Sequence, residues 1–229
     1  MKKALMWIKI AIYIPAIWLT AIQSRKEAFA TRFNLLKHWS KLVVRLSGIK
    51  LKVEGLEKVP TDETLYFVVN HQGSLDPFII VATLPVPSTA VSKIENGKIP
   101  VLGPWFKNIE AIMLDRSNMR SALQMVKDAT ACLKNGRNVC IFPEGTRSKS
   151  MTMGEMKPGA FKPAFNAQAT IVPVTLVNTF VIDVKGKQNM NAKAIYMDPM
   201  RYDEYKEMST TELAEKVTAM IQENLDRGL

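Results

Sequence analysis

His71 and Asp76 are the residues whose types and spacing most directly point to chemistry. They lie in the stretch Asn70-His71-Gln72-Gly73-Ser74-Leu75-Asp76-Pro77. A continuous apolar run, residues 65–69, leads in, and a second, residues 78–82, leads out. The first reads as a central strand covered on both faces. Asp76 and Pro77 read as N-cap and N1 of the helix that follows. His71 then stands at a strand's carboxyl end, where open α/β sheets bind ligands. Five residues with a glycine at the turn can bring the Asp76 carboxylate back to the His71 Nδ1–H. That contact fixes the tautomer and leaves Nε2 free to take a proton from a hydroxyl. Alone, the same pair is also that of a polar histidine and a helix cap.

Three further strand-like runs end in polar groups. Residues 139–142 end on Pro143-Glu144-Gly145-Thr146-Arg147-Ser148, residues 111–114 on Asp115-Arg116-Ser117, and residues 89–92 on Lys93. Gly145 lets backbone N–H groups approach a ligand, and two arginines at strand ends suit a phosphate. With two histidines and no Cys/His cluster, a zinc site is not expected. Cys132 and Cys140 have no CxxC neighbour and read as reduced core residues of a cytosolic protein.

The elements that must hold these groups alternate strand, helix, strand, helix, strand from residue 65 to residue 142. The expected fold is α/β, a mostly parallel central sheet flanked by helices. Residues 49–53 alternate apolar and charged, as an edge strand does. Asn118 caps a helix to about Lys134, which Gly136 stops. Residues 148–158 read as a lid, and residues 170–176 and 192–197 as strands. Ser209 and Glu212 form a capping box opening a helix to about Leu225.

The composition, 47% hydrophobic and 23% charged, is that of a folded protein, and the net charge is +10. Residues 1–50 hold ten Lys or Arg against one acid, Glu27, whereas the remaining 179 carry 21 bases and 20 acids. The basic character therefore belongs to the N-terminus and sits on apolar helices. That excludes a nucleic-acid partner, which needs bases on the folded domain, and points to an anionic membrane surface. Residues 4–22 are almost wholly apolar, with Trp7, Tyr13 and Trp18 suited to an interface. Ser24 with Glu27 opens a second helix as a capping box, and residues 32–46 have a basic polar face carrying His38, stopped by Gly48. The expectation is a membrane-associated helical hairpin, residues 1–48, followed by one domain, residues 49–229. A cleaved signal peptide is rejected. Arg25, Lys26 and Glu27 crowd the only cleavage-like site, and Lys9 breaks the apolar run.

His71-x-x-x-x-Asp76, followed by Phe142-Pro143-Glu144-Gly145-Thr146-Arg147-Ser148, resembles the glycerolipid acyltransferase family, and within it the bacterial 1-acyl-sn-glycerol-3-phosphate acyltransferases. Residues 157–162 and 171–174 resemble later family blocks, so the resemblance covers about residues 50–180. Where the family usually has Gly, Phe and Arg at three-residue spacing, this chain has Glu110, Met113 and Arg116. The resemblance implies transfer of an acyl chain from acyl-CoA or acyl-ACP to the sn-2 hydroxyl of 1-acyl-glycerol 3-phosphate (lysophosphatidate), giving phosphatidic acid. In that role His71 is the base and Asp76 its support. Glu144, Gly145 and Thr146 line the acceptor site, and Arg116 and Arg147 with Lys93 hold the phosphate. Neither metal nor cofactor is implied, and the site would work on the cytoplasmic face of the membrane. Alternatives are another acceptor, such as glycerol 3-phosphate or a lysophospholipid, a lipid hydrolase, or a catalytically silent membrane-binding module.

Overall fold

Every side chain of the strand Leu65–Val69 is buried, which is why its sequence does not alternate. Leu65, Phe67 and Val69 enter one core; Tyr66 and Val68 enter another on the opposite face. The computed structural model describes residues 2–184 and 189–229. Among these, seven strands form one sheet. They are β1 (Lys50–Glu54), β2 (Leu65–Val69), β3 (Ser88–Lys93), β4 (Ile112–Leu114), β5 (Asn138–Ile141), β6 (Thr170–Val177) and β7 (Asn191–Tyr196). The spatial order is β1-β7-β6-β2-β5-β3-β4. All neighbours are parallel except β6 and β7, so β1 and β7 run against the rest. The mostly parallel α/β sheet stands as expected. β4, however, is an edge strand and only partly buried.

The helices are α1 (Lys2–Ala11), α2 (Ile14–Gln23), α3 (Phe29–Ser47), α4 (Asp76–Thr83), α5 (Leu102–Asn108), α6 (Met119–Lys134), α7 (Lys162–Ala167) and α8 (Thr210–Arg227). α6, α7 and α8 cover the Tyr66 face, where Met125, Ala129, Leu133, Leu213, Val217 and Ile221 pack. The caps at Asn118 and at the Ser209–Glu212 box are as read from the sequence. α3 and α4 cover the other face.

The N-terminal segment differs from expectation in two ways. The apolar run of residues 4–22 is not one helix. It breaks at Ile12 and Tyr13 ahead of Pro15, which enters the first turn of α2. Proline lacks an N–H and its ring clashes with the preceding turn. Each piece is ten residues, about 15 Å at 1.5 Å per residue. Among the described residues no helix is long and apolar enough to cross a membrane. Nor does Ser24 open the next helix; it ends α2 instead. Residues 24–26 form a 3-10 turn, α3 starts at Phe29, and the Ser24 hydroxyl accepts from Asn108 Nδ2 at 3.0 Å.

The division expected at residue 48 is no break in packing either. Phe33, Val43, Val44 and Ile49 belong to the same core as Phe67, Ile79 and Val174. The N-terminal end of α3 is clipped as well. Glu110, at φ +52, pairs with Arg32 at 2.7 Å and also with Arg137, and Arg137 lies over the Phe29 ring.

Candidate active site

β2 ends at Val69, and Asn70 finishes its attachment to β6. The Asn70 amide accepts from the Leu176 N–H at 2.7 Å and donates to the Leu176 carbonyl at 3.0 Å. The chain then turns through Gly73 into α4. A Cβ at Gly73 would meet Thr179 O and Phe180 Cα at 2.8 Å, so only glycine fits. The turn brings Asp76 Oδ2 to 2.8 Å from His71 Nδ1, the contact that the spacing predicts. Asp76 belongs to α4 rather than capping it. Its Oδ2 accepts the N–H groups of Gln72 and Gly73, upstream, at 2.5 and 2.8 Å. The carboxylate is fully buried and accepts every one of these donors as an anion.

Phe142, at the end of β5, stacks on the His71 ring at 4.5 Å. With Nδ1 taken by Asp76, Nε2 is the nitrogen left for a substrate. His71 lines a cavity of about 550 Å³. Gly145, Thr146, Arg147, Arg116 and Lys93 share that wall, so the three strand ends converge as expected. Gly145 sits at φ +68, which favours glycine. Arg116 and Arg147 are exposed, and among the described residues neither pairs with an acid. Lys93 pairs with Glu95 at 3.0 Å.

Glu144 does not line the cavity. It is buried, with Oε1 accepting the His71 N–H at 2.5 Å and Oε2 the Gly154 N–H at 2.6 Å. Burial pushes its carboxyl up, against the pull of these two donors. Its place is behind the site, as a brace between the His71 backbone and residues 148–158. Those residues are no free lid. The Gln72 amide donates to Ser150 O at 2.8 Å, Lys149 N–H to Gln72 O at 3.1 Å, and Met153 N–H to Gln222 Oε1 at 3.1 Å.

Away from His71 the cavity becomes apolar. Phe33 and Leu36 of α3, Phe78 and Val81 of α4, Trp105 of α5 and Ile109 just after it form its walls. Cys140 also lines it, but burial pushes that thiol up to about 12, so it supplies no thiolate nucleophile near neutrality. Ser74 Oγ, within the turn, donates to Asp183 Oδ1 at 2.8 Å rather than to His71. Among the described residues no cluster could hold a metal ion.

A buried carboxylate orienting a histidine, two unpaired arginines and an apolar cavity now stand together. Residues 50–177 match the family described as Acyltransferase. The chain belongs to the acyltransferase family. It is similar to the 1-acyl-sn-glycerol-3-phosphate acyltransferase of Borreliella burgdorferi, 28% identical over 187 residues, 79% of this chain and 75% of that one. A probable 1-acyl-sn-glycerol-3-phosphate acyltransferase of Mycoplasma pneumoniae is 32% identical over 157 residues, 65% of this chain and 57% of that one. The fold is that of the 1-acyl-sn-glycerophosphate acyltransferase PlsC of Thermotoga maritima, at a TM-score of 0.80 and 19% identity over 99% of this chain and 94% of that one.

The family match stops short of two groups that complete this acyltransferase site. α3 supplies cavity wall from before residue 50, and residues 178–184 pack beneath the His71–Asp76 turn. Sequence reasoning missed both. Phe33 and Leu36 were legible as an apolar stripe, but the stripe fits a membrane as well as a cavity. Thr179 and Asp183 follow an apolar strand with no motif around them.

Proposed function

We propose that this acyltransferase moves an acyl chain from an acyl thioester, on CoA or acyl carrier protein, to the free sn-2 hydroxyl of 1-acyl-glycerol 3-phosphate, forming phosphatidic acid. The observation that carries this reading is the joining of the His71–Asp76 pair to two unpaired arginines at the mouth of an apolar cavity. His71 Nε2 takes the proton of the glycerol hydroxyl as its oxygen attacks the thioester carbonyl. Asp76 stabilises the imidazolium that forms. The C–S bond then breaks, and the departing sulfur takes the proton from His71, leaving the enzyme unchanged. Arg116 and Arg147 hold the acceptor phosphate, with Lys93 beside them, while Gly145 and Thr146 line its path. The cavity takes an acyl chain.

The arginines are tested with two acceptors. Arg116→Ala and Arg147→Ala are each expected to raise the KM for lysophosphatidate about tenfold or more with a smaller fall in kcat, because they contact a group that does not react. Monoacylglycerol, which lacks the phosphate, should be a poor acceptor for wild type and suffer little further loss in the variants. Equal losses on both acceptors would contradict the assignment.

The N-terminal helices support action at a membrane. Trp7, Ile8, Ile12, Trp18 and Leu19 of residues 1–23 are exposed, an apolar surface that water does not favour. With two ten-residue helices, we read them as lying in one leaflet of the cytoplasmic face, with the basic side chains at the headgroups. Ile12→Glu combined with Trp18→Glu is expected to abolish co-sedimentation with anionic phospholipid vesicles while preserving thiol release on detergent-dispersed acceptor. Undiminished vesicle binding would refute this placement.

A further inference from the structure

The Asp76 carboxylate takes one hydrogen bond from outside its own turn and outside the family match. Its Oδ1 accepts from the Thr179 hydroxyl at 2.6 Å. Thr179 is fully buried and lies two residues beyond β6. The intervening Asn178 stands in the left-handed region, φ +60. Its side-chain amide donates to the Asn189 and Asn191 carbonyls at 3.0 and 2.8 Å. The chain therefore turns sharply off the sheet edge and runs beneath residues 70–76. The Thr179 N–H donates to Gln72 Oε1 at 3.1 Å, and Asp183 accepts the Ser74 N–H at 2.7 Å. This is also the segment that leaves no room for a Cβ at Gly73.

The Thr179 hydroxyl has one proton and two oxygens within reach. Asp76 Oδ1 is at 2.6 Å, and Gln72 Oε1 is at 3.3 Å and already accepts the Thr179 N–H. The shorter contact, to an ionised carboxylate, is the charge-assisted one, so the proton goes to Asp76. The geometry matters because a carboxylate torsion is broad. The three other donors, His71 Nδ1 and the N–H groups of Gln72 and Gly73, all meet Oδ2. Only Thr179 holds the second oxygen among the described residues.

We propose that Thr179 is a positioning residue, locking the Asp76 carboxylate in the rotation that aims Oδ2 at His71 Nδ1. The proposal rests on the acyl-transfer reading, and it adds a residue that touches neither substrate nor base.

Thr179→Val keeps the shape and removes the donor, whereas Thr179→Ser keeps the donor. Full-length wild type and both variants are assayed for thiol release from acyl-CoA with lysophosphatidate, beside a thermal melt. T179V is expected to lower kcat about 10- to 100-fold, the worth of a buried hydrogen bond to a charge. Its KM for lysophosphatidate should stay within about twofold of wild type, since the phosphate contacts are untouched. T179S is expected to recover most of kcat. A T179V enzyme with wild-type kcat overturns the proposal, as does a T179S enzyme as slow as T179V. If T179V does not fold, Thr179→Cys replaces it: the weaker thiol donor should lower kcat while T179S keeps most of it, and a wild-type kcat in T179C overturns the proposal. Absence of thiol release from wild type with acyl-CoA and with acyl-ACP alike would overturn the acyl-transfer reading too, whereas a wild type active on either donor with an unaffected T179V overturns this proposal alone.

Discussion

His71→Ala is expected to lower kcat for lysophosphatidate-dependent thiol release by about 10²–10⁴-fold, the usual worth of a general base. The melt should move little. The His71 backbone keeps its N–H on Glu144 and its carbonyl on the Ser148 N–H; the ring's stack on Phe142 and its contact with Asp76 are lost, but Asp76 keeps the Gln72 and Gly73 N–H groups and the Thr179 hydroxyl. Asp76→Asn is the sharper companion. An amide can keep its oxygen toward His71 Nδ1 and the N–H groups of Gln72 and Gly73. Its NH₂ then faces Thr179 Oγ1, which can turn to accept. The fold should therefore survive, but a neutral amide does not stabilise the imidazolium that proton abstraction creates. A similarly large loss of kcat is expected. Near-normal thiol release from either variant, measured with folding checked by circular dichroism, would rule out the mechanism.

Removing residues 1–48 is expected to abolish cooperative folding, not merely membrane binding. Phe33, Val43 and Val44 are buried in the core that also holds Phe67 and Val174. Losing a large buried side chain costs about 2–5 kcal/mol, and three such losses reach the whole stability of an ordinary domain, about 5–15 kcal/mol. Removing residues 1–26 spares α3 but takes Met6 and Ile10 from that core and Ile17 and Ala21 from Trp105, so it should leave a protein that still melts cooperatively, at a lower temperature, and does not bind vesicles. Parallel thermal melts of the two truncations decide the matter. A cooperative transition in the shorter protein would mean that α3 is an appendage after all.

Much of the site was legible because its chemistry is local. The five-residue spacing from His71 to Asp76 leaves few ways to close a glycine turn, and strand ends in a parallel sheet share one edge. Arg116, Gly145 and Arg147 could thus be gathered without knowing strand order. Glu144 was placed at the right edge but on the wrong side of the backbone. A glutamate can bind substrate or brace a loop, and only the distances to the His71 and Gly154 N–H groups distinguish the two. The Ser24 capping pattern failed because Asn108, 84 residues away, claims that hydroxyl. α3 was misassigned for a related reason. Helical amphipathicity reports that one face avoids water, and says nothing of whether lipid or a protein core covers it.

Glu110 carries a different consequence. A left-handed backbone costs a non-glycine residue on the order of 1–2 kcal/mol. The pair with the partly exposed Arg137 is worth about 0–1 kcal/mol, and the pair with Arg32, whose side chain is largely buried, is worth more because losing it leaves a buried guanidinium unpaired. A glycine at position 110 would relax the turn but leave Arg32 without its carboxylate, while Phe33, Val43 and Val44 still hold α3 in the core. The strained backbone at Glu110 is thus the cost of a carboxylate that ties the start of the helix walling the cavity to the strand side of the sheet, through Arg32 and Arg137.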